Sequence, residues 1–162
     1  MIDAKLLSSL LIIISCLNDQ NKQQVNWAVT GSLGMVLNGM QMDIHDIDLQ
    51  TDKKGAFEIE HRLMDYLVTP VFFKASEIIR SYFGVFSIMG VQVEVMGDMQ
   101  HRLSDQTWQE PVCVEQFKKW INFADMCIPV MSLEHEYDAY RLMGRTNKAE
   151  RIQQYLFQSK RY

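Results

Sequence analysis

Two carboxylates set two residues apart inside an apolar run, Asp46 and Asp48 of DIHDIDL, limit what this chain can fold into more than any other feature. Residues 44–51 have strand character, with Ile47 and Leu49 on one face and Asp46 and Asp48 on the other. Strand rise puts the two acids roughly 6–7 Å apart at Cα, so both can reach one small cation. With nothing positive between them they repel, and each raises the other's pKa. Hard oxygen ligands in this arrangement suit Mg²⁺ or Mn²⁺, which take few protein ligands and leave positions for phosphate oxygens and water.

The residues ahead of this strand supply the complement. Residues 26–30 form a short strand that ends at Gly31, and Ser32 is placed to N-cap a helix. Leu33, Val36, Leu37 and Met40 follow at i, i+3, i+4 and i+7. Free N–H groups at a helix start form an anion site, and glycine there lets a phosphate approach the backbone. An anion site beside a cation site is what a nucleoside triphosphate and its metal require.

The rest of the chain alternates between helical and extended patterns. Residues 4–16 form a first helix, capped by Asp3, with Leu7, Leu10, Leu11 and Ile14 directed to the core. Residues 56–67 form another, with Phe57, Leu63, Met64 and Leu67 in one stripe. Strands over 71–75 and 82–88 lead through a Met89-Gly90 turn into Val91 to Val95, which alternates cleanly. Residues 97–111 have the polarity of a connecting loop, and the last third has helical character. There Ser132 caps one helix that Gly144 stops, with Glu134 and Glu136 near its positive end, and Asn147 with Glu150 forms a capping box for the last. The pattern predicts an α/β (α+β) fold: a mixed sheet flanked by helices, with a helical C-terminal part. It is expected to be one domain over residues 1–162, its catalytic core at 20–97 and its helical part at 112–162.

Composition closes several alternatives. A net charge of −4 argues against broad nucleic-acid binding, which calls for a basic excess. Cys16, Cys113 and Cys127 lack metal-ligand spacing, and so do the four histidines. The eleven methionines suit core filling, and Trp27, Trp108 and Trp120 suit packing. MIDAKLLSSLLIIISC mimics a lipoprotein signal, but Asp3 spoils the basic head and the apolar run is too short to span a bilayer. A cytoplasmic location with no membrane contact is expected.

Gly31-Ser32 on a strand-to-helix turn, Asp46-Ile47-Asp48 on the next strand and Glu94 in GVQVEVMG resemble, in that order, the polymerase-β-like nucleotidyltransferase superfamily. The segment IPVMSLEHEYDAYRLMGRTNKAERIQQYL resembles the tail of its small bacterial antibiotic-type (lincosamide or aminoglycoside) and toxin-type members: a Pro-containing loop, a helix, then a basic helix. The resemblance implies that Asp46, Asp48 and Glu94 are the catalytic, metal-binding acids, for Mg²⁺ or Mn²⁺. It implies that Gly31, Ser32 and Lys148 hold an NTP such as ATP, with Arg141, Arg145 and Arg151 as further phosphate contacts. The third acid is more often Asp, and Lys148 is followed by Ala149 where relatives carry Lys-Asp. The implied reaction moves a nucleoside monophosphate to a hydroxyl of a small molecule or macromolecule, in a homodimer whose subunits share a cleft. The alternative is a catalytically silent nucleotide sensor, or a partner in a bacterial toxin–antitoxin-like pair.

Overall fold

Asp3 opens the first helix, α1 (Ala4–Leu17), its carboxylate accepting from the Leu6 N–H at 2.8 Å. The buried stripe of α1 is Leu6, Ser9, Leu10, Ile13 and Leu17, so the expected face is rotated. Leu10 is central to it, whereas Leu11 is 53% exposed and Leu7 and Ile14 lie at the margin. Ser9 explains the shift: its hydroxyl is buried and donates to the Ile88 carbonyl at 2.8 Å, which turns the Ser9 side inward. Leu10→Ala should therefore cost about 2–5 kcal/mol. Leu11→Ala should stay within about 0.5 kcal/mol, and urea unfolding of the two variants measures the difference.

The computed structural model describes residues 1–160. After α1 come β1 (Trp27–Thr30), α2 (Gly31–Leu37), β2 (Ile47–Thr51) and α3 (Lys53–Arg62), then a 3₁₀ turn at Met64–Tyr66. There follow β3 (Leu67–Ala75), β4 (Ile79–Ile88), β5 (Val91–His101), α4 (Val114–Phe117), β6 (Lys118–Phe123), β7 (Met126–Met131), α5 (Leu133–Leu142) and α6 (Thr146–Ser159). The strands form one mixed sheet in the order β3-β4-β5-β2-β1-β7-β6. β2 runs antiparallel to β1 and parallel to β5, and β1 runs parallel to β7. Among the described residues no helix is long and apolar enough to cross a membrane.

The two faces of the central strands do different work. Ile47, Leu49, Val93, Val95, Trp27 and Val29 pack with α1 and α3 into the main core. Alternation sends Asp48, Gln50, Glu94 and Met96 to the opposite face. A second cluster, Met35, Met40, Leu133, Tyr140, Ala149 and Ile152, ties α5 and α6 to α2 beside that face. Ala149, the departure from the Lys-Asp pattern, is one of its buried residues.

Several expectations need correction. Strand β2 begins at Ile47, so Asp46 lies in the bend before it rather than in the ladder. Its neighbours set that limit, since β1 ends at Thr30 opposite Asp48 and the pairing with β5 starts at Ile47–Val93. Helix α3 starts three residues early, because Asp52 caps it by accepting from the Gly55 N–H at 2.6 Å, and Phe57 and Met64 are exposed. Strand β5 runs on to His101 through the segment expected as loop. Gly97 permits this: a Cβ there would sit 2.7 Å from the Asp52 carbonyl oxygen. Residues 112–162 were expected to be helical, yet they include the β6–β7 hairpin; their last two residues lie outside the described residues. Ser132 caps α5 and Gly144 ends it with φ 71°, as expected. Neither Ser32 nor Asn147 is a cap, since Thr30 and Arg145 occupy those positions. Trp27 is buried, but Trp120 is 56% exposed, and Trp108 is partly exposed with Arg80 4.3 Å above its ring.

Candidate active site

The turn from β1 into α2 and the facing strands β2 and β5 bring most of the singled-out residues together. Asp48 stands opposite Thr30 on one side and opposite Glu94 on the other. Gly31 has φ 67°, and a Cβ on it would lie 2.3 Å from Asp48 Oδ2. The position therefore needs glycine twice over, for its backbone and for the Asp48 carboxylate packed against it. Gly31→Ala should cost about 1–3 kcal/mol of stability and displace Asp48, which thermal unfolding and NTP titration together would detect.

Burial and the neighbouring acids act together on Asp48. Asp48 is pushed up to about 7, first by burial and then by Asp46, Glu94 and Glu136, with Lys148 opposing. Lys148 itself is pushed down by burial and by Arg145, while Asp48, Asp46 and Glu136 pull it the other way. Its Nζ lies 5.1 Å from the centre of the Tyr140 ring. Glu94 Oε1 accepts from Gln92 Nε2 at 2.8 Å, the two sharing a strand face as expected.

Glu136 is the residue that sequence reasoning missed. Expected only as a charge near the positive end of α5, it is buried and accepts from the Thr30 hydroxyl and, at 3.1 Å, from the Gly31 N–H. Burial pushes it up to about 7, against those two donors and Lys148. The available signal was helical spacing: Leu133, Glu136 and Tyr140 fall at i, i+3 and i+7, which puts the acid on the buried stripe. Burial, Glu136 and Asp48 in turn raise the Tyr140 hydroxyl above its usual range.

Not every candidate joins the group. Ser32 is half-buried in the first turn of α2, and the Gly31 N–H expected to face phosphate is already bonded to Glu136. Arg141 lies exposed 3.8 Å from Asp138, and Arg151 donates to the Gln41 carbonyl at 3.1 Å. Arg145 does reach the site, lining a cavity of about 200 Å³ with Asp48, Glu94 and Glu136.

The donor set suits a hard divalent cation. Asp46, Asp48 and Glu94 offer carboxylate oxygens only, and burial first, then the charges of Asp46, Glu94 and Glu136, raise Asp48 against the pull of Lys148. Among the described residues no three acidic, His or Cys side chains are gathered closely enough to hold a metal by themselves.

Comparison with known proteins agrees with this geometry. The family model for aminoglycoside-2''-adenylyltransferase matches residues 12–155. A crystal structure from Thermotoga maritima, provisionally assigned as a nucleotidyltransferase, is 42% identical, with a TM-score of 0.84 over 98% of this chain and 96% of its own. The fold is shared with a lincomycin-bound lincosamide adenylyltransferase at 16% identity and TM-score 0.51, covering 79% of this chain and 81% of that one. It is shared too with ANT(2'')-Ia in complex with adenylyl-2''-tobramycin, at 13% identity and TM-score 0.53, covering 96% and 98%. No curated protein matches the chain. With the model spanning most of its length, the chain belongs to the aminoglycoside-2''-adenylyltransferase family and is a nucleotidyltransferase.

Proposed function

We propose that the protein transfers a nucleoside monophosphate from an NTP to a hydroxyl group of a small acceptor, in a metal-dependent reaction. The observation that carries this reading is Asp48, half-buried beside Asp46 and Glu94 and packed against Gly31. Asp46, Asp48 and Glu94 would hold the divalent cation, which when bound supplies charge neutralisation and Lewis acidity at the phosphates. Lys148, next to these acids and partly buried, would pair with the triphosphate, and Arg145 would add charge at the cavity rim. Gly31 leaves room for the Asp48 carboxylate packed against it, while Glu136 fixes the turn that Gly31 belongs to. Glu94 lies across from Asp48 and would accept the proton of the attacking hydroxyl or bind the cation on that side.

The family's name and the antibiotic-modifying structures that share the fold support a small hydroxylated acceptor. The test is incubation of the pure protein with each α-labelled NTP, Mg²⁺ or Mn²⁺, and a panel of hydroxylated small molecules or a cell extract. Label should enter a small molecule with release of pyrophosphate. Label in a protein band or RNA would replace the acceptor class, and absence of label despite NTP binding would favour the silent sensor.

A further inference from the structure

The turn between α5 and α6 brings two cations to one aromatic ring. Gly144 takes φ 71° and donates to the Arg141 carbonyl at 3.1 Å, and the Arg145 N–H donates to the Tyr140 carbonyl at 2.9 Å. These paired bonds close α5 and fold the chain back, so that Arg145 stands beside Tyr140. Lys148 follows three residues later in the first turn of α6, a spacing that puts it on the same side. The Arg145 guanidinium carbon lies 5.8 Å and Lys148 Nζ 5.1 Å from the Tyr140 ring centre, both within cation–π range.

Simple electrostatics oppose this grouping. Like charges repel, and both cations stand at the N-terminal end of α6, where the helix dipole disfavours them. The first turn of α6 carries no acid, and among the described residues neither Arg145 nor Lys148 forms an ion pair. Such a pair needs a rigid support, and Tyr140 is one. It is 6% exposed and packed in the cluster with Met35, Met40, Leu133, Ala149 and Ile152. Tyr140 and Arg145 also line the cavity beside Asp48, Glu94 and Glu136, so the support lies at the edge of the acids.

Resting on the reading of Lys148 and Arg145 as triphosphate contacts, we infer that Tyr140 is a positioning residue. Its buried ring is the platform that holds the two cations side by side at the rim of the acid cavity. A ring suits this task better than a carboxylate would. A carboxylate neutralises a cation and competes with phosphate for its N–H groups, whereas a π-face attracts the charge and leaves those donors free. Lys148 thus keeps its ammonium donors, and Arg145 its guanidinium fork, for phosphate oxygens.

The test is calorimetric titration of ATP with Mn²⁺ into the parent, Tyr140→Phe and Tyr140→Leu proteins. Phenylalanine keeps the π-face and should hold ATP affinity within about threefold of the parent. Leucine packs without a π-face and should weaken ATP about 5–30-fold, the worth of two cation–π contacts. On a Lys148→Ala background the leucine substitution should cost clearly less, because part of what it acts through is already gone. An equal cost there, leucine binding like the parent, or phenylalanine as weak as leucine would each overturn the platform. A second reading leaves the core untouched. In NMR spectra of the intact protein, the Tyr140 ring current should move the Lys148 ε-methylene protons upfield of those of an exposed lysine, and ATP should leave that shift in place. Unshifted protons would overturn the platform even where Tyr140→Leu fails to fold. Failure of ATP to bind the unmodified protein would overturn the triphosphate reading itself, and the platform with it.

Discussion

Asp48→Asn should lower nucleotidyl transfer by at least about 10³-fold while making the metal-free protein more stable. The first effect follows from loss of a cation ligand at the reacting phosphate, where charge stabilisation is worth several kcal/mol. The second follows from the Asp48 pKa of about 7, against an ordinary value of 3.8. Between those two values the folded state binds more protons at this site than the unfolded state does, so stability falls as pH rises. Below pH 4 both states are protonated and the penalty is absent; above about pH 7 it is complete. Asparagine carries no charge and escapes it. Melting both proteins in a chelator at pH 4.5 and pH 8 should show a Tm advantage for Asp48→Asn that is small in acid and larger in base. Buried His135, which is lowered to about 4, destabilises both proteins in acid alike and cancels in the comparison. Added Mg²⁺ should then stabilise the parent at pH 8 and leave the variant unmoved. A Tm gap that ignores pH would mean that Asp48 is not held in a repulsive, desolvated cluster.

The parts of the site legible in the sequence were those written in one short segment. Gly31 before a helix, an alternating strand with Asp48, and Glu94 flanked by valines each follow from local periodicity. Asp46 was placed correctly beside Asp48 but wrongly within the strand, because a strand's length is set by its partners and not by its own residues. The β6–β7 hairpin stayed hidden for a related reason. It turns at Ala124 and Asp125 with φ of 48° and 62°, a conformation usually announced by Asn or Gly. Pro129 also argued against a strand, yet it sits in β7, whose ladder to β1 is a single pair, Val29–Val130. Gly97 looked like a breaker and is instead the place where the first turn of α3 presses on β5. Glu136 could not be read locally, because its place at the turn after β1 depends on a contact between residues far apart in the chain. Glu136 meets Thr30 across more than one hundred positions, a distance no spacing rule covers.

Two substitutions at Glu136 should separate what its oxygen does from what its charge does. Glu136→Ala removes the acceptor of the Thr30 hydroxyl and the Gly31 N–H, both buried at the turn that faces Asp48. Each abandoned donor costs about 1–3 kcal/mol, enough to lower Tm by roughly 5–15 °C in a chain of this size. The turn would loosen, and nucleotide affinity should fall with it. Glu136→Gln keeps a carbonyl oxygen for the same two donors and removes the charge that burial opposes. Its Tm at pH 8 should equal or exceed that of the parent, and it should retain most of the ATP affinity that alanine loses. Differential scanning calorimetry and NTP titration on the same two variants provide both readings. If alanine and glutamine prove equally stable, the Glu136 oxygen does not hold the turn. If glutamine binds ATP as poorly as alanine while melting like the parent, the carboxylate charge, acting through Lys148, is what nucleotide binding requires.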